Sequence, residues 1–230
     1  MTGGHFWAMT TAPDAHAARR AYAAHTHTQI VDQMRGDRDR LTVFNDVDRR
    51  GQAWNFLRAL TAGLDAGAER ITLLEDDLEI CRGFVDRVNA HPIPDDVAFI
   101  SWFDPFLGCP RLGDYYHVTV PSKEPMPLTP QLVRRVCSLF YCNQALTFSR
   151  ATAEKIRYSP LAMAWNRPHE GDVLIAQVLQ LADYGVHFPS LVQHVGAVSL
   201  CNPGQPLKKN RISHHYPGRD FDAGTLEIFG

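Results

Sequence analysis

The sequence predicts an α/β protein with a mostly parallel central sheet flanked by helices. Strand-like and helix-like segments alternate over residues 6–74, which is the signature of an α/β layer. The third strand-like segment, Ile71-Thr72-Leu73-Leu74, is nearly continuous in apolar character, as a strand covered on both faces must be. Each of the first three strands also ends in polar residues: Thr10-Thr11, Asn45-Asp46 and Glu75-Asp76-Asp77. Ligands of such sheets collect at the carboxyl ends of the strands, so three polar ends on one edge are the first pointer to function.

Taken in order, Phe6 to Thr10 reads as the first strand. Pro13-Asp14 starts a helix, with Asp as N-cap, that carries Ala17, Ala18, Ala21, Tyr22 and Ile30 and stops near Gly36. Leu41 to Phe44 is the second strand. Gly51 opens a second helix with Trp54, Leu57, Leu60 and Leu64 on one face, closed by Gly67. Val97 to Trp102 is a fourth strand, and Leu139 to Phe148 reads as one or two more. Between them, residues 104–130 are rich in Pro and Gly and carry Tyr115-Tyr116. A long irregular segment of this kind is more often functional than idle. Asp172 to Tyr184 reads as a strong helix stopped by Gly185, followed by short strands at Val186-His187-Phe188 and Leu191-Val192.

Composition excludes whole classes. The chain has 230 residues, 45% hydrophobic and 21% charged, with a net charge of -2. It is long enough to bury a core without staples, and neither disordered nor fibrous. A globally basic nucleic-acid binder is not indicated, although the segment with Lys208, Lys209, Arg211 and Arg219 is locally basic. No apolar run is long enough to cross a bilayer, and Met1 to Trp7 lacks the pattern of a signal peptide. The five cysteines, Cys81, Cys109, Cys137, Cys142 and Cys201, are odd in number and contain no C-x-x-C pair. A disulfide framework and a cysteine zinc site are both disfavoured, and a reduced, cytoplasmic protein is expected.

Three features carry chemistry. Glu75-Asp76-Asp77 places adjacent carboxylates just beyond a buried strand. They raise one another's pKa unless a cation sits among them, and Mg²⁺ or Mn²⁺ shared with substrate phosphates meets that need. A solvated acidic turn is the alternative. His194, in Gln193-His194-Val195-Gly196, follows a short strand and could complete a metal site with Asp77; a hydrogen-bonded core histidine is the alternative, in a chain with 11 of them. Asp172, in His169-Glu170-Gly171-Asp172, stands at a helix start. A helix-cap acid stays ionised there, and an ionised carboxylate near an acceptor hydroxyl is also what a general base requires. Glu170 is a less well placed competitor.

These features, in this order, resemble the nucleotide-sugar glycosyltransferases of the GT-A fold. The matching pieces are A-M-T-T-A-P (8–13), V-F-N-D-V-D (43–48), G-Q-A-W-N (51–55), L-L-E-D-D-L-E (73–79), H-E-G-D (169–172) and L-V-Q-H-V-G-A-V-S-L (191–200). E-D-D resembles the family's D-x-D metal motif. Q-H-V-G is similar to a segment of the N-acetylglucosaminyltransferase-IV type.

The resemblance implies one GT-A-like domain over residues 1–230. Residues 6–103 would form the nucleotide-sugar-binding half, 104–200 the acceptor half and 201–230 a flexible basic tail. It implies that Thr10, Thr11 and Arg19 border the nucleotide, and that Asp46 and Asn55 contact base or ribose. Glu75 and Asp76 would belong to the donor side. Asp77 and His194 would bind Mn²⁺ or Mg²⁺, Asp172 would be the base of an inverting transfer, and Lys208, Lys209 or Arg211 would close over the phosphates.

The donor is then a nucleoside-diphosphate sugar, with UDP-sugar favoured. The acceptor is a glycan or protein hydroxyl, or a hydroxymethylated pyrimidine in DNA, as in phage-type base glycosylation. Two other classes stand beside this one: a metal-dependent nucleotidyltransferase or phosphohydrolase, and an idle scaffold that binds a nucleotide sugar without turning it over. The absence of G-x-x-x-x-G-K-[ST], G-x-G-x-x-G and G-x-S-x-G motifs weakens P-loop, dinucleotide-binding and hydrolase readings.

Overall fold

The computed structural model describes residues 4–12, 17–35, 40–103, 130–140, 142–196, 213 and 215–227. It is a mixed α/β fold. The chain runs β1 (His5–Thr11), α1 (Ala17–Val31), β2 (Leu41–Asn45), α2 (Gln52–Asp65), β3 (Arg70–Glu75), β4 (Leu78–Ile80), α3 (Phe84–Ala90), β5 (Phe99–Ser101) and β6 (Gln131–Val136). It continues with β7 (Ala145–Ser149), α4 (Arg150–Arg157), α5 (Pro160–Met163), α6 (Gly171–Val178), β8 (Asp183–Phe188) and β9 (Val192–His194). Seven strands form one sheet in the order β2-β1-β3-β7-β5-β8-β6. In it β1, β2, β3, β5 and β8 run one way, and β7 and β6 run the other.

The alternation of side chains along the strands builds two cores, one on each sheet face. On one face, Ala8, Leu73, Leu146 and Phe148 pack against Phe56, Leu60 and Leu64 of α2. On the other, Trp7, Leu74, Ala145 and Ile100 pack with Ile30 of α1 and Phe84 of α3. The chain passes from β1 to β2 on one side and returns to β3 on the other side of β1. That reversal opens a crevice beyond the carboxyl ends of β1 and β3. The register places Thr11 opposite Asn45 and Thr10 opposite Glu75, so the three polar strand ends do share one edge.

Several sequence expectations are corrected. The helix read from Asp172 to Tyr184 ends at Val178, and Tyr184 and Gly185 belong to β8. Leu181, placed on that helix's apolar face, is 97% exposed. The apolar rhythm continued past the helix end, but β8 needs its backbone to pair with β5 and β6, and that pairing overrides local propensity. The segment 139–148 yields only β7, preceded by a 3₁₀ turn at Cys137–Leu139. On α2 the buried face is Ala53, Phe56, Ala59, Leu60, Gly63 and Leu64. Trp54 instead packs against two guanidinium groups, with Arg50 and Arg58 at 4.3 and 4.5 Å from its ring centre. The helix start at Pro13-Asp14, its stop at Gly36, Tyr115-Tyr116 and most of the segment 104–130 lie outside the described residues.

A two-stranded antiparallel sheet of β4 and β9 pairs Leu78 with His194 and Ile80 with Val192. Helix α1 covers the other edge of β4 with side chains. Thr26 Oγ1 accepts from Leu78 N at 2.9 Å, and Gln29 Oε1 accepts from Ile80 N at 2.9 Å while its Nε2 donates to Leu78 O at 3.1 Å. Buried backbone groups without partners cost about 1–3 kcal/mol each, so these side chains fix where the chain leaves Asp77. Cys81, Cys137 and Cys142 are buried free thiols, as expected of small hydrophobes; Cys109 and Cys201 are outside the described residues.

On β8, His187 is fully buried. Its Nδ1–H donates to Pro189 O at 2.8 Å and its Nε2 accepts from Arg87 Nε at 3.2 Å. Burial pushes the imidazole down to about 3; the Pro189 bond opposes this, and the charges of Arg87 and His91 add to it. Between the ordinary value and about 3 the unfolded chain therefore binds the extra proton. Stability from this group is complete above about pH 6.5 and falls as pH drops, by up to about 1.4 kcal/mol per pH unit. We expect His187→Gln to flatten the dependence of the urea midpoint on pH between about pH 6.5 and 4. Parallel wild-type and variant curves would exclude His187 as the source.

Candidate active site

The carboxyl ends of β1, β2 and β3 build the site. Asp76 and Asp77 follow β3 directly and are 0% and 2% exposed. Asp76 Oδ2 accepts from Thr11 Oγ1 at 2.6 Å. Arg19, in the first turn of α1, spans the pair: Nη2 bonds Asp76 Oδ1, and Nη1 bonds Asp77 Oδ2 at 2.5 Å. The sequence placed Arg19 beside a nucleotide; the structure places its guanidinium on the two carboxylates. It is the positive charge that the triplet demanded.

His194 arrives through β9. Its Nε2 lies 3.2 Å from Asp77 Oδ2, and Val195 N donates to Asp77 O at 2.9 Å, prolonging the β4–β9 pairing. At Gly196 a Cβ would collide with the Asp77 carboxylate, so only glycine lets the chain pass this close. Glu75, Asp77 and His194 each offer a ligand atom, and these atoms lie within 4.8 Å of one another. Asp77 Oδ1 is buried with no hydrogen-bond partner, and such an atom is costly unless something binds it. Two carboxylates and one imidazole suit a divalent ion such as Mn²⁺ or Mg²⁺. These residues therefore fit the metal that the sequence implied, with Glu75 added to Asp77 and His194.

The three carboxyls titrate apart. Burial pushes Glu75 up to about 7, aided by the Asp77 charge and opposed by His194 and Arg19. Burial also raises Asp76, to about 6, against the Arg19 charge. Asp77 feels burial most, but the hydrogen bond and charge of His194 and those of Arg19 outweigh it and hold the carboxyl at about 2. Glu75 must give up its proton to bind a metal ion. Mn²⁺ affinity should therefore rise with pH, by up to about tenfold per unit below pH 7, and level off above it. Calorimetric titrations at three pH values check this; a flat profile would remove Glu75 from the ligand set.

A second arm leads from Glu75 to Asp172. Gln52, in the first turn of α2, donates through Nε2 to Glu75 Oε1 and also, at 3.1 Å, to Asn143 Oδ1. Gly51 has φ 101°, and a Cβ there would stand 2.5 Å from Pro168 O. That contact lets Ala53 N donate to Pro168 O at 2.9 Å, which docks the segment before α6 on the head of α2. Asp172, half-buried, accepts from Cys142 N at 3.3 Å. Cys142 holds a left-handed φ of 73°, a conformation costly for a residue with a side chain. The Cys142 amide that bonds Asp172 stands one residue before Asn143. Glu170, the competing carboxylate, is paired with Arg167 at 2.6 Å.

The remaining predicted residues take varied places. Thr10 Oγ1 donates to Leu74 O at 3.3 Å. Asp46 is buried, and its two oxygens accept from Arg50 N at 2.8 Å and Gly51 N at 2.7 Å. Asn55 Nδ2 donates to Phe44 O at 2.7 Å. Asp46 and Asn55 therefore hold the turn between β2 and α2. Lys208, Lys209 and Arg211 lie outside the described residues. Sequence reasoning gave no role to Gln52 or Asn143, and read Gly196 only as part of the His194 segment. The glycine directly after His194-Val195 was a usable signal; nothing in the sequence marked Asn143.

No protein-family model matches the chain, and no curated protein matches it. Solved structures do match. One is a mutant of Drosophila β-1,4-galactosyltransferase 7 in complex with manganese, UDP-Gal and xylobiose. It is 14% identical, with 84% of this chain and 71% of that chain covered and a TM-score of 0.43. So low a score leaves both fold and site to be argued from this chain. Among the described residues, no helix is long and apolar enough to cross a membrane.

Proposed function

We propose that this chain is a divalent-metal-dependent glycosyltransferase. It moves a sugar from a nucleoside-diphosphate sugar, with UDP-sugar favoured, to an acceptor hydroxyl with inversion. The observation that carries this reading is the Glu75, Asp77 and His194 cluster, with the orphaned Asp77 Oδ1, at the carboxyl edge of the sheet. The Gln52–Asn143 bridge leads from Glu75 toward a second, separate carboxylate, Asp172.

The division of labour follows from the chemistry. A bound Mn²⁺ or Mg²⁺ supplies electrostatic stabilisation of a diphosphate leaving group. Asp77, His194 and Glu75 hold it. Thr10, Thr11 and the β2–α2 turn held by Asp46 and Asn55 form the wall for base and ribose, and Lys208, Lys209 and Arg211 supply further positive charge to the phosphates. Asp172 accepts the proton of the acceptor hydroxyl as its oxygen bonds to the anomeric carbon. The bond from that carbon to the diphosphate oxygen breaks, and the diphosphate keeps the electron pair. A metal carboxylate and a base carboxylate kept on separate arms can do both tasks at once.

The test is a donor screen: purified protein with UDP- and GDP-sugars, in Mn²⁺, Mg²⁺ or chelator, with glycan, protein and hydroxymethylated or plain DNA acceptors. We expect metal-dependent release of nucleoside diphosphate and a hexose mass added to one acceptor. A glycan or protein hydroxyl is the acceptor favoured; labelling of hydroxymethylated DNA alone would assign the other. Release of nucleoside monophosphate or inorganic phosphate would replace this reading with a nucleotidyltransferase or phosphohydrolase. Binding of a donor without turnover on any acceptor would mark an idle scaffold.

A further inference from the structure

We propose that Arg19 is the resident counter-ion of the acidic pocket: it pairs with Asp77, gives up that contact when a divalent ion enters, and thereby sets the affinity of the site. This rests on the metal reading above. The Asp76 and Asp77 side chains are 0% and 3% exposed, and Arg19 is 12% exposed. Among the described residues, Arg19 is the Lys or Arg that forms ion pairs with this triplet. Asp77 Oδ2 is engaged from two sides, by Arg19 Nη1 at 2.5 Å and by His194 Nε2 at 3.2 Å. That oxygen belongs to the residue central to the ligand set of Glu75, Asp77 and His194. An ion entering that set meets the guanidinium at close range, and buried like charges repel far more strongly than exposed ones.

The anchoring of Arg19 permits its release. Its Nε is buried without a hydrogen-bond partner, and among the described residues its two Nη atoms hold it, one on Asp77 and one on Asp76. The contact with Asp76 can persist while that with Asp77 breaks. A guanidinium turned from Asp77 has the planar fork that binds phosphate oxygens in pairs. Metal entry would thus expose a diphosphate-binding group that the empty pocket keeps engaged, coupling the two ligands.

The test is calorimetric titration of Mn²⁺, without nucleotide, into wild type, Arg19→Gln and Arg19→Lys, with His194→Ala to locate the binding. We expect Arg19→Gln to melt at a lower temperature without metal yet to bind Mn²⁺ about tenfold more tightly, the size of an ordinary coupling between two ligands of one site. Arg19→Lys, which cannot span both carboxylates, should fall between. Equal or weaker Mn²⁺ binding in both variants would overturn the role of Arg19 and leave the metal site standing. No Mn²⁺ binding by any of the proteins would overturn the metal reading and this inference together. Should Arg19→Gln not fold, nitrogen-15 NMR of the wild type decides. The Arg19 guanidinium signals should shift on saturation with diamagnetic Mg²⁺, and unchanged signals would contradict the displacement.

Discussion

Asp77→Asn should abolish metal-dependent donor binding while leaving a folded protein. The side chain keeps its shape, and one oxygen can still accept from Arg19 or His194. It loses the charge that both of those groups and a metal ion require. Loss of groups that only orient metal ligands costs roughly 10–100-fold in affinity, and loss of a ligand itself should exceed that. Mn²⁺ titration and UDP-sugar titration in excess Mn²⁺ are the measurements, with circular dichroism to confirm folding. Asp77→Ala should be worse on every count, because it removes the carboxylate that the buried His194 and one arm of the Arg19 fork engage. Full activity of either variant, or of wild type in excess chelator, would contradict the metal role.

Asp172→Asn should separate chemistry from binding. Asp172 lies at the head of α6, tied to Cys142 N, and Gln52 and Asn143 stand between this region and Glu75. Its substitution leaves Glu75, Asp77, His194 and Arg19 untouched. Donor affinity in Mn²⁺ should therefore hold within about threefold, while turnover falls by about 10²–10⁴, the usual range for a lost general base. Steady-state kcat read beside a donor titration checks both halves. Unchanged turnover would remove Asp172 as the base, and Glu170, paired with Arg167, would be the next carboxylate to test.

Much of this site was legible in the sequence because it sits on parallel strands. Strand ends of one sense fall on one edge, so the sequence alone brings Thr11, Asp46 and Glu75 to Asp77 together. His194 was legible as a candidate through its short strand and the following glycine, although its partner strand, β4, was not. Three residues are too few to show a period. Strands β4 and β6 and helices α3, α4 and α5 went unread for the same reason or through lack of apolar contrast; β6 has no buried residue along its length. The α6 helix was overread because apolar residues continued past Val178. The reach of Arg19 into the carboxylates, and of Gln52 to both Glu75 and Asn143, depends on how helices seat on the sheet. No local pattern encodes that.

The most direct test of the account is the place of the metal. Crystals grown with Mn²⁺ and UDP, measured for anomalous scattering, should show Mn²⁺ bound by Asp77, His194 and Glu75 at about 2.0–2.3 Å. A diphosphate oxygen should complete its coordination. Well-diffracting crystals with UDP bound, no Mn²⁺ in that cluster and Arg19 still across Asp76 and Asp77 would contradict it.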